Sequence, residues 1–201
     1  MNFELLRCII LIKMTGKKIT SLQGTNILRA IVVFDTLYGN TEKIARALAK
    51  GIQAADIRTE CLNIKDTQIK NLSQYDLIVI GGPTQYRTAS KPMQDFLESL
   101  EEVNLSGKYA FAFDTRVDLF LAGSAAKFIE KKLRVLGLKI VKPYSSATVL
   151  SPEREEKRKK SESKDEWKER RRRSVRLQEG MEALFERIGG EVGRTITTRH
   201  L

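Results

Sequence analysis

The sequence predicts an α/β domain in which a parallel sheet lies between two layers of helices. Short, nearly continuous apolar runs alternate along the chain with longer segments whose apolar residues follow helical spacing. A continuous apolar run is typical of a strand buried on both faces, and strands that alternate with helices form parallel sheets. The right-handed crossover rule leaves few ways to wind such a sheet.

Five strands are expected. They cover residues 27–34, 57–64, 77–80, 109–113 and 138–141, and the last resumes at 147–150 after an interruption by Pro143. The third run is followed by Gly81, Gly82 and Pro83, and we expect the strand to end there because these residues break regular structure.

Helical spacing occurs in four segments. Their apolar stripes are Ile44, Leu48 and Ile52; Met93, Phe96, Leu97 and Leu100; Phe128, Ile129, Leu133 and Leu136; and Leu177, Met181, Leu184, Phe185 and Ile188. The third helix should end at Gly137, and the fourth should dock onto the sheet.

The domain therefore spans residues 27–189, between an N-terminal extension (1–26) and a C-terminal tail (190–201) that we expect to fray. The extension either packs on the domain or precedes a natural start at Met14. Residues 153–176 form an insertion before the last helix, with 12 basic and 7 acidic side chains. This composition indicates an exposed charged helix or a loop, although its Lys and Arg clusters could instead contact nucleic acid or anionic lipid.

Charge and cysteine usage limit the classes of function. The net charge of +11 comes largely from the extension and the insertion, and it favours an acidic partner. Two distant cysteines fit a cytoplasmic protein without a disulfide framework. A single histidine, His200, leaves no basis for a His-rich metal site or a catalytic triad. The apolar run at residues 5–12 is too short to span a bilayer.

A candidate phosphate-binding loop joins the first strand to the first helix. It consists of Thr36, Leu37, Tyr38, Gly39, Asn40 and Thr41. Gly39 permits a backbone conformation that turns N–H groups inward, and Thr36 and Thr41 add hydroxyl donors. Thr41 also suits the N-cap of the helix, whose positive end would face a phosphate. The loop lacks Lys and Arg, and it matches neither the nucleoside-triphosphate loop nor the dinucleotide fingerprint, so it remains either a monoester phosphate site or a capped polar turn.

These motifs together resemble the flavodoxin family. Residues 31–43 resemble its first strand, phosphate loop and first helix, and residues 81–84 resemble its second flavin loop. Residues 113–117, followed by 123–127, resemble the third loop and the next helix of one subgroup. The resemblance covers roughly residues 27–150 and, more faintly, 177–189.

The resemblance implies a three-layer sandwich with strand order 2-1-3-4-5 and flavin mononucleotide (FMN) at the carboxyl ends of the strands. It assigns the phosphate to residues 36–41. One side of the flavin ring is assigned to the loop with Pro83, Thr84, Gln85 and Tyr86. The other side is assigned to the loop with Asp114, Thr115, Arg116 and Asp118. Tyr86 would stack on the ring or pack on the domain. Arg116 would either lie near the flavin edge that gathers negative charge on reduction or pair with Asp114 or Asp118.

Two departures from the family pattern affect the function. Electron-carrying flavodoxins are typically acidic, and the third loop position, here Tyr38, is commonly Thr. The leading interpretation is an electron carrier or redox module, in which flavin does the chemistry and no side chain is catalytic. A quinone or flavin reductase that uses NAD(P)H on the same fold is the alternative, and a binding protein that uses residues 153–176 is a further one.

Overall fold

Strands and helices alternate along the chain, and a computed structural model describes residues 27–117, 123–150 and 161–200. The strands are β1 (Arg29–Phe34), β2 (Arg58–Asn63), β3 (Leu77–Gln85), β4 (Thr88–Ala89), β5 (Tyr109–Val117), β6 (Lys139–Ile140), β7 (Ser145–Leu150) and β8 (Arg176–Leu177). The helices are α1 (Asn40–Gln53), α2 (Lys91–Ser99), α3 (Ala125–Val135), α4 (Lys164–Ser174) and α5 (Met181–His200).

The sheet has the predicted parallel order. Its strands run β2-β1-β3-β5-β7, and β6 pairs with the start of β5. β6 and β7 together are the interrupted fifth strand, so the 2-1-3-4-5 arrangement is confirmed. The chain between them contains Pro143, which has no N–H to donate to a ladder. Two short antiparallel pairings extend the parallel arrangement: β4 folds back on β3, and β8 adds to the free edge of β7.

The third strand is longer than its sequence predicted. It continues through Gly81, Gly82 and Pro83, which pair in register with Phe113, Asp114 and Thr115 of β5. The strand is central, and neighbouring β5 supplies the pairing that overrides the weak strand preference of Gly and Pro. β5 likewise continues past its predicted end to Val117. Both extensions carry polar side chains to the carboxyl edge of the sheet.

Two apolar layers hold the helices on opposite faces of the sheet, because successive strand residues point to opposite sides. One layer joins Val32 and Val79 of the sheet to apolar residues of α1 and α5. The other joins Ile31 and Ile78 to α2 and α3. This is the expected three-layer sandwich.

The last helix does not end near residue 189. Helix α5 runs to His200, and Val192 and Ile196 are buried in the core against α1. The expected tail over 190–201 is therefore part of the helix as far as His200. Burial of two branched apolar side chains stabilises this end of the chain, which was expected to fray because it is a terminus.

The charged insertion contains a helix in the part that the structure describes. Helix α4 begins at Lys164 and ends at Ser174, as the exposed-helix interpretation expected. An ion pair between Arg170 Nε and Glu162 Oε1, at 2.9 Å, links α4 to the segment before it. The predicted extension over 1–26, and residues 151–160, lie outside the described residues. In the part of the chain that is described, no helix combines the length and apolarity needed to cross a membrane.

Candidate functional site

A cavity of about 240 Å³ opens at the carboxyl edge of the sheet, beside the ends of β1, β3, β5 and β7. This is the edge at which ligands bind in open parallel sheets. Twelve residues line it: Leu37, Tyr38, Asn40, Thr41, Pro83, Thr84, Gln85, Thr115, Arg116, Val117, Val149 and Val175. Nine of the residues that the sequence predicted are among them.

The loop between β1 and α1 forms one end of the cavity. Gly39 adopts a left-handed conformation (φ 78°), and its N–H donates a hydrogen bond to Thr36 Oγ1 at 3.0 Å. Helix α1 follows without a side-chain cap from the described residues. The N–H groups of its first turn are therefore available to a ligand, and the helix dipole favours an anion there.

Thr41 does not have the predicted N-cap role, since it is the second residue of α1 and Gly39 occupies the N-cap position. The Thr41 hydroxyl instead lies 2.8 Å from Thr115 Oγ1. Both side chains are buried, so the start of α1 is tied directly to β5 through the wall of the cavity.

Asp114 does not line the cavity but holds residues around it. Its side chain is fully buried, and Oδ2 accepts hydrogen bonds from Thr84 Oγ1 (2.9 Å), Ser124 Oγ (2.7 Å) and the Ala126 N–H (3.0 Å). Oδ1 has no hydrogen-bond partner among the described residues. One carboxylate thus fixes Thr84, a lining residue, and the N-terminus of α3.

Arg116 lines the cavity, and it does not pair with Asp114. Its Nη1 donates to the Gly123 carbonyl at 2.9 Å, across the segment 118–122. The other proposed partner, Asp118, lies outside the described residues. The guanidinium is thereby anchored with its charge beside the cavity.

Tyr86 is fully exposed (99%) and does not line the cavity. It sits in a tight turn between β3 and β4, in which Tyr86 (φ 46°) and Arg87 (φ 71°) both have positive φ. The interpretation that Tyr86 packs on the domain is therefore wrong. The turn points its ring into solvent, because a two-residue hairpin loop holds both central residues outside the sheet.

The apolar wall formed by Val117, Val149 and Val175 was not predicted from the sequence. Val117 ends β5, which was predicted to stop at residue 113, and Val149 is the second-last residue of β7, where no site was predicted. Val175 had a visible signal, because it is the first aliphatic residue after a long charged run.

The cavity thus has two chemically different ends. Uncapped backbone N–H groups and hydroxyls at the start of α1 suit an anionic group. The valine wall, together with Leu37 and Tyr38, suits a flat apolar ring. A ligand that carries a phosphate and an aromatic ring system matches both ends.

Comparisons with known proteins agree with this geometry. The family model described as Flavodoxin matches residues 32–167. Probable flavodoxin 2 of Bacillus subtilis is 32% identical over 136 residues, which cover 64% of this chain and 86% of that protein. A flavodoxin of Clostridium saccharobutylicum is 28% identical over 85 residues, and there the chain matches only 53% of the relative's length.

A solved structure of a flavodoxin from the domain Archaea has the same fold. It superposes with a TM-score of 0.61 at 21% identity, over 85% of this chain and 99% of that one. The sequence family, the strand order and the site at the carboxyl edge all agree. The chain belongs to the flavodoxin family, whose members bind FMN and transfer electrons to redox partner proteins.

Proposed function

We propose that this chain holds FMN in the cavity at the carboxyl edge of its sheet and exchanges electrons with an acidic partner protein. The observation that carries the proposal is the division of one cavity into an anion-binding end and an apolar end. The bound flavin supplies the one- and two-electron chemistry, and the protein supplies binding, orientation and electrostatics.

Residues 36–41 are assigned to the phosphate. Because Thr36 Oγ1 accepts from the Gly39 N–H, its own hydroxyl hydrogen can point toward a phosphate oxygen. The first-turn N–H groups of α1 add donors and the positive end of the helix dipole. No Lys or Arg occurs in this loop, so hydroxyls, amides and the dipole do the binding.

The apolar wall is assigned to the flavin ring. Leu37 and Tyr38 are about half exposed, at 47% and 43%, and a flat ring laid against them would cover apolar surface that is now in water. Val149, which lines the same cavity, is buried. Asp114 keeps Thr84 in place beside this wall.

Arg116 is assigned to the edge of the ring that gathers negative charge on reduction. Its hydrogen bond to the Gly123 carbonyl leaves the full positive charge of the guanidinium in place. A fixed cation stabilises the reduced, more negative form of a bound flavin relative to the oxidised form. Arg116 should therefore raise the reduction potential of the bound flavin.

The partner and the compartment follow from composition. A net charge of +11, with 12 basic side chains in the insertion, suits an acidic redox protein. Most flavodoxins have a negative net charge, so the partner of this chain should have a charge opposite in sign to that of their partners. The distant cysteines fit the reducing cytoplasm as the place of action.

The test begins with FMN titration of the purified protein, followed by spectroelectrochemistry. We expect tight 1:1 binding, and a potential that falls in Arg116→Ala relative to wild type. Arg134→Ala is the matched control, because Arg134 lies on the surface of α3 and pairs with Glu130. A protein that does not bind FMN would overturn the proposal. A reduction potential that is unchanged in Arg116→Ala would overturn the role of Arg116. Fast turnover of NAD(P)H with a quinone by the isolated protein would identify a reductase instead.

A further inference from the structure

The charged insertion returns to the sheet beside the cavity. Strand β8 pairs antiparallel with β7, with Leu177 opposite Val149 and Arg176 opposite Leu150. The pairing continues in a hydrogen bond from the Gln178 N–H to the Thr148 carbonyl at 3.0 Å. The insertion thus ends as an ordered edge strand.

Val175 connects α4 to β8 and forms part of the cavity wall. Val175 lines the cavity together with Val149, and its carbonyl accepts a hydrogen bond from Asn40 Nδ2 at 3.2 Å. Asn40 is the first residue of α1 and is only 6% exposed. The insertion and the proposed phosphate loop therefore meet at one point, through a nearly buried amide.

The segments on both sides of Val175 are connected to the domain. Leu177, two residues after Val175, packs against the core layer formed with α1 and α5. Helix α4 ends at Ser174, directly before Val175, so its position is fixed by the same anchor. The insertion is therefore attached to the domain at the cavity and does not leave it as a separate arm there.

We infer that the end of the insertion is a working part of the cofactor site, in which Val175 contacts the cofactor and Asn40 holds Val175 in place. The inference rests on the proposed function, since it assigns a new binding residue to the same cavity. Because Val175 is apolar, it covers apolar surface of the ligand and makes no contact that requires the phosphate. Cofactor binding should in turn stabilise β8 and the end of α4.

The first test compares FMN and riboflavin, which lacks the phosphate, by titration of wild type and Val175→Ala. We expect Val175→Ala to bind both flavins about 3- to 10-fold more weakly, by the same factor, as fits the loss of two buried methyl groups. Thr36→Ala should weaken FMN far more than riboflavin. Val135→Ala is the matched control, because Val135 is 74% exposed on α3.

A second measurement shows whether the strand responds to the cofactor. Hydrogen exchange of the amides in residues 175–178 should slow on addition of FMN. The variant Leu177→Ala loosens β8 without changing a residue that lines the cavity. It should therefore reduce both this protection and the affinity for FMN. Suppose that the wild type binds FMN, that Val175→Ala binds it with equal affinity, and that exchange at 175–178 does not change. These results together would overturn this inference and leave the proposed function intact. Wild type that binds neither flavin would overturn the proposed function as well.

Discussion

The hydroxyls of Thr41 and Thr115 lie 2.8 Å apart, where the first turn of α1 meets the carboxyl end of β5. Both side chains are nearly inaccessible, at 1% and 5% exposure, and both line the cavity. This single hydrogen bond ties the proposed phosphate loop to the strand that carries Arg116. The shape of the cavity therefore depends on a pair of residues that are 74 positions apart in the sequence.

Thr41→Val tests this link, because it keeps the shape of the side chain and removes the hydroxyl. The Thr115 hydroxyl then loses its partner inside the protein, and we expect the free energy of unfolding to fall by about 1–2 kcal/mol in urea unfolding. The double variant Thr41→Val/Thr115→Val should cost less than the sum of the single variants, since no polar group is left unpaired. Thr198→Val, exposed at the end of α5, is the control. Additive single and double effects would contradict the assignment.

Asp114→Ala should be one of the most destabilising substitutions at the site. It removes the acceptor of two hydroxyls and one backbone N–H, and a hydrogen bond to a charged group contributes about 1.5–3 kcal/mol. We expect the free energy of unfolding to fall by about 3 kcal/mol or more, and by less in Asp114→Asn, which keeps one acceptor oxygen. Asp95→Ala, at an exposed ion pair with Lys91, should change it by under about 1 kcal/mol. Equal losses in the two alanine variants would be inconsistent with the role of Asp114.

Cys61 should be an unreactive thiol in the folded protein. Burial raises its pKa to about 11, with Arg46 opposing the shift and Glu42 adding to it. The buried neutral thiol therefore makes its full contribution to the stability of the fold below about pH 9, which is the ordinary pKa of a cysteine. This contribution is lost as the pH rises toward about 11. In a Cys8→Ser background, iodoacetamide at pH 8 should alkylate Cys61 about 100-fold more slowly than in urea-unfolded protein, because only the thiolate reacts. Similar rates in the two states would show that the thiol is not shielded.

The sequence predicted the parts of the fold that depend on local pattern. Strands such as β1 and helices such as α1 have strong, regular apolar spacing, and this spacing determines which faces are buried. The end of β3 was missed because Gly82 and Pro83 have weak strand preference, and only their pairing with Asp114 and Thr115 makes them a strand. Pairing of this kind is not visible in one segment alone.

The candidate site shows the same division. Loop 36–41 has its own signature of Gly and Thr, so its position could be predicted from the sequence. Tyr86 was assigned to a ring contact by resemblance, and its exposure depends on a hairpin turn with two positive φ angles at non-glycine residues. Val175 reaches the cavity only because β8 joins the sheet, which requires tertiary structure to be known.

The length of α5 was missed for a related reason, because a chain terminus is expected to fray and its packing on α1, which glycines permit, is a tertiary contact. A Cβ added at Gly51 of α1 would lie 1.9 Å from the Glu186 carbonyl oxygen of α5, so the two backbones are in direct contact there. Gly190 of α5 lies in the same interface, but the nearest atom to its added Cβ is the flexible end of Arg194, at 3.2 Å. Both glycines are buried, and they differ in the space available to a methyl group.

Gly51→Ala and Gly190→Ala form a matched pair of variants that tests this packing. Gly51→Ala must push α5 away from α1, and overpacking of this kind costs about 1–3 kcal/mol, more than the roughly 1 kcal/mol that alanine contributes in a helix. Gly190→Ala displaces only a side-chain end, so we expect it to be neutral or to stabilise by up to about 1 kcal/mol. Urea unfolding of the two variants beside wild type measures both effects. If Gly51→Ala were as stable as Gly190→Ala, the helices would not be in contact at Gly51, and the burial of Val192 and Ile196 of α5 against α1 would need another explanation.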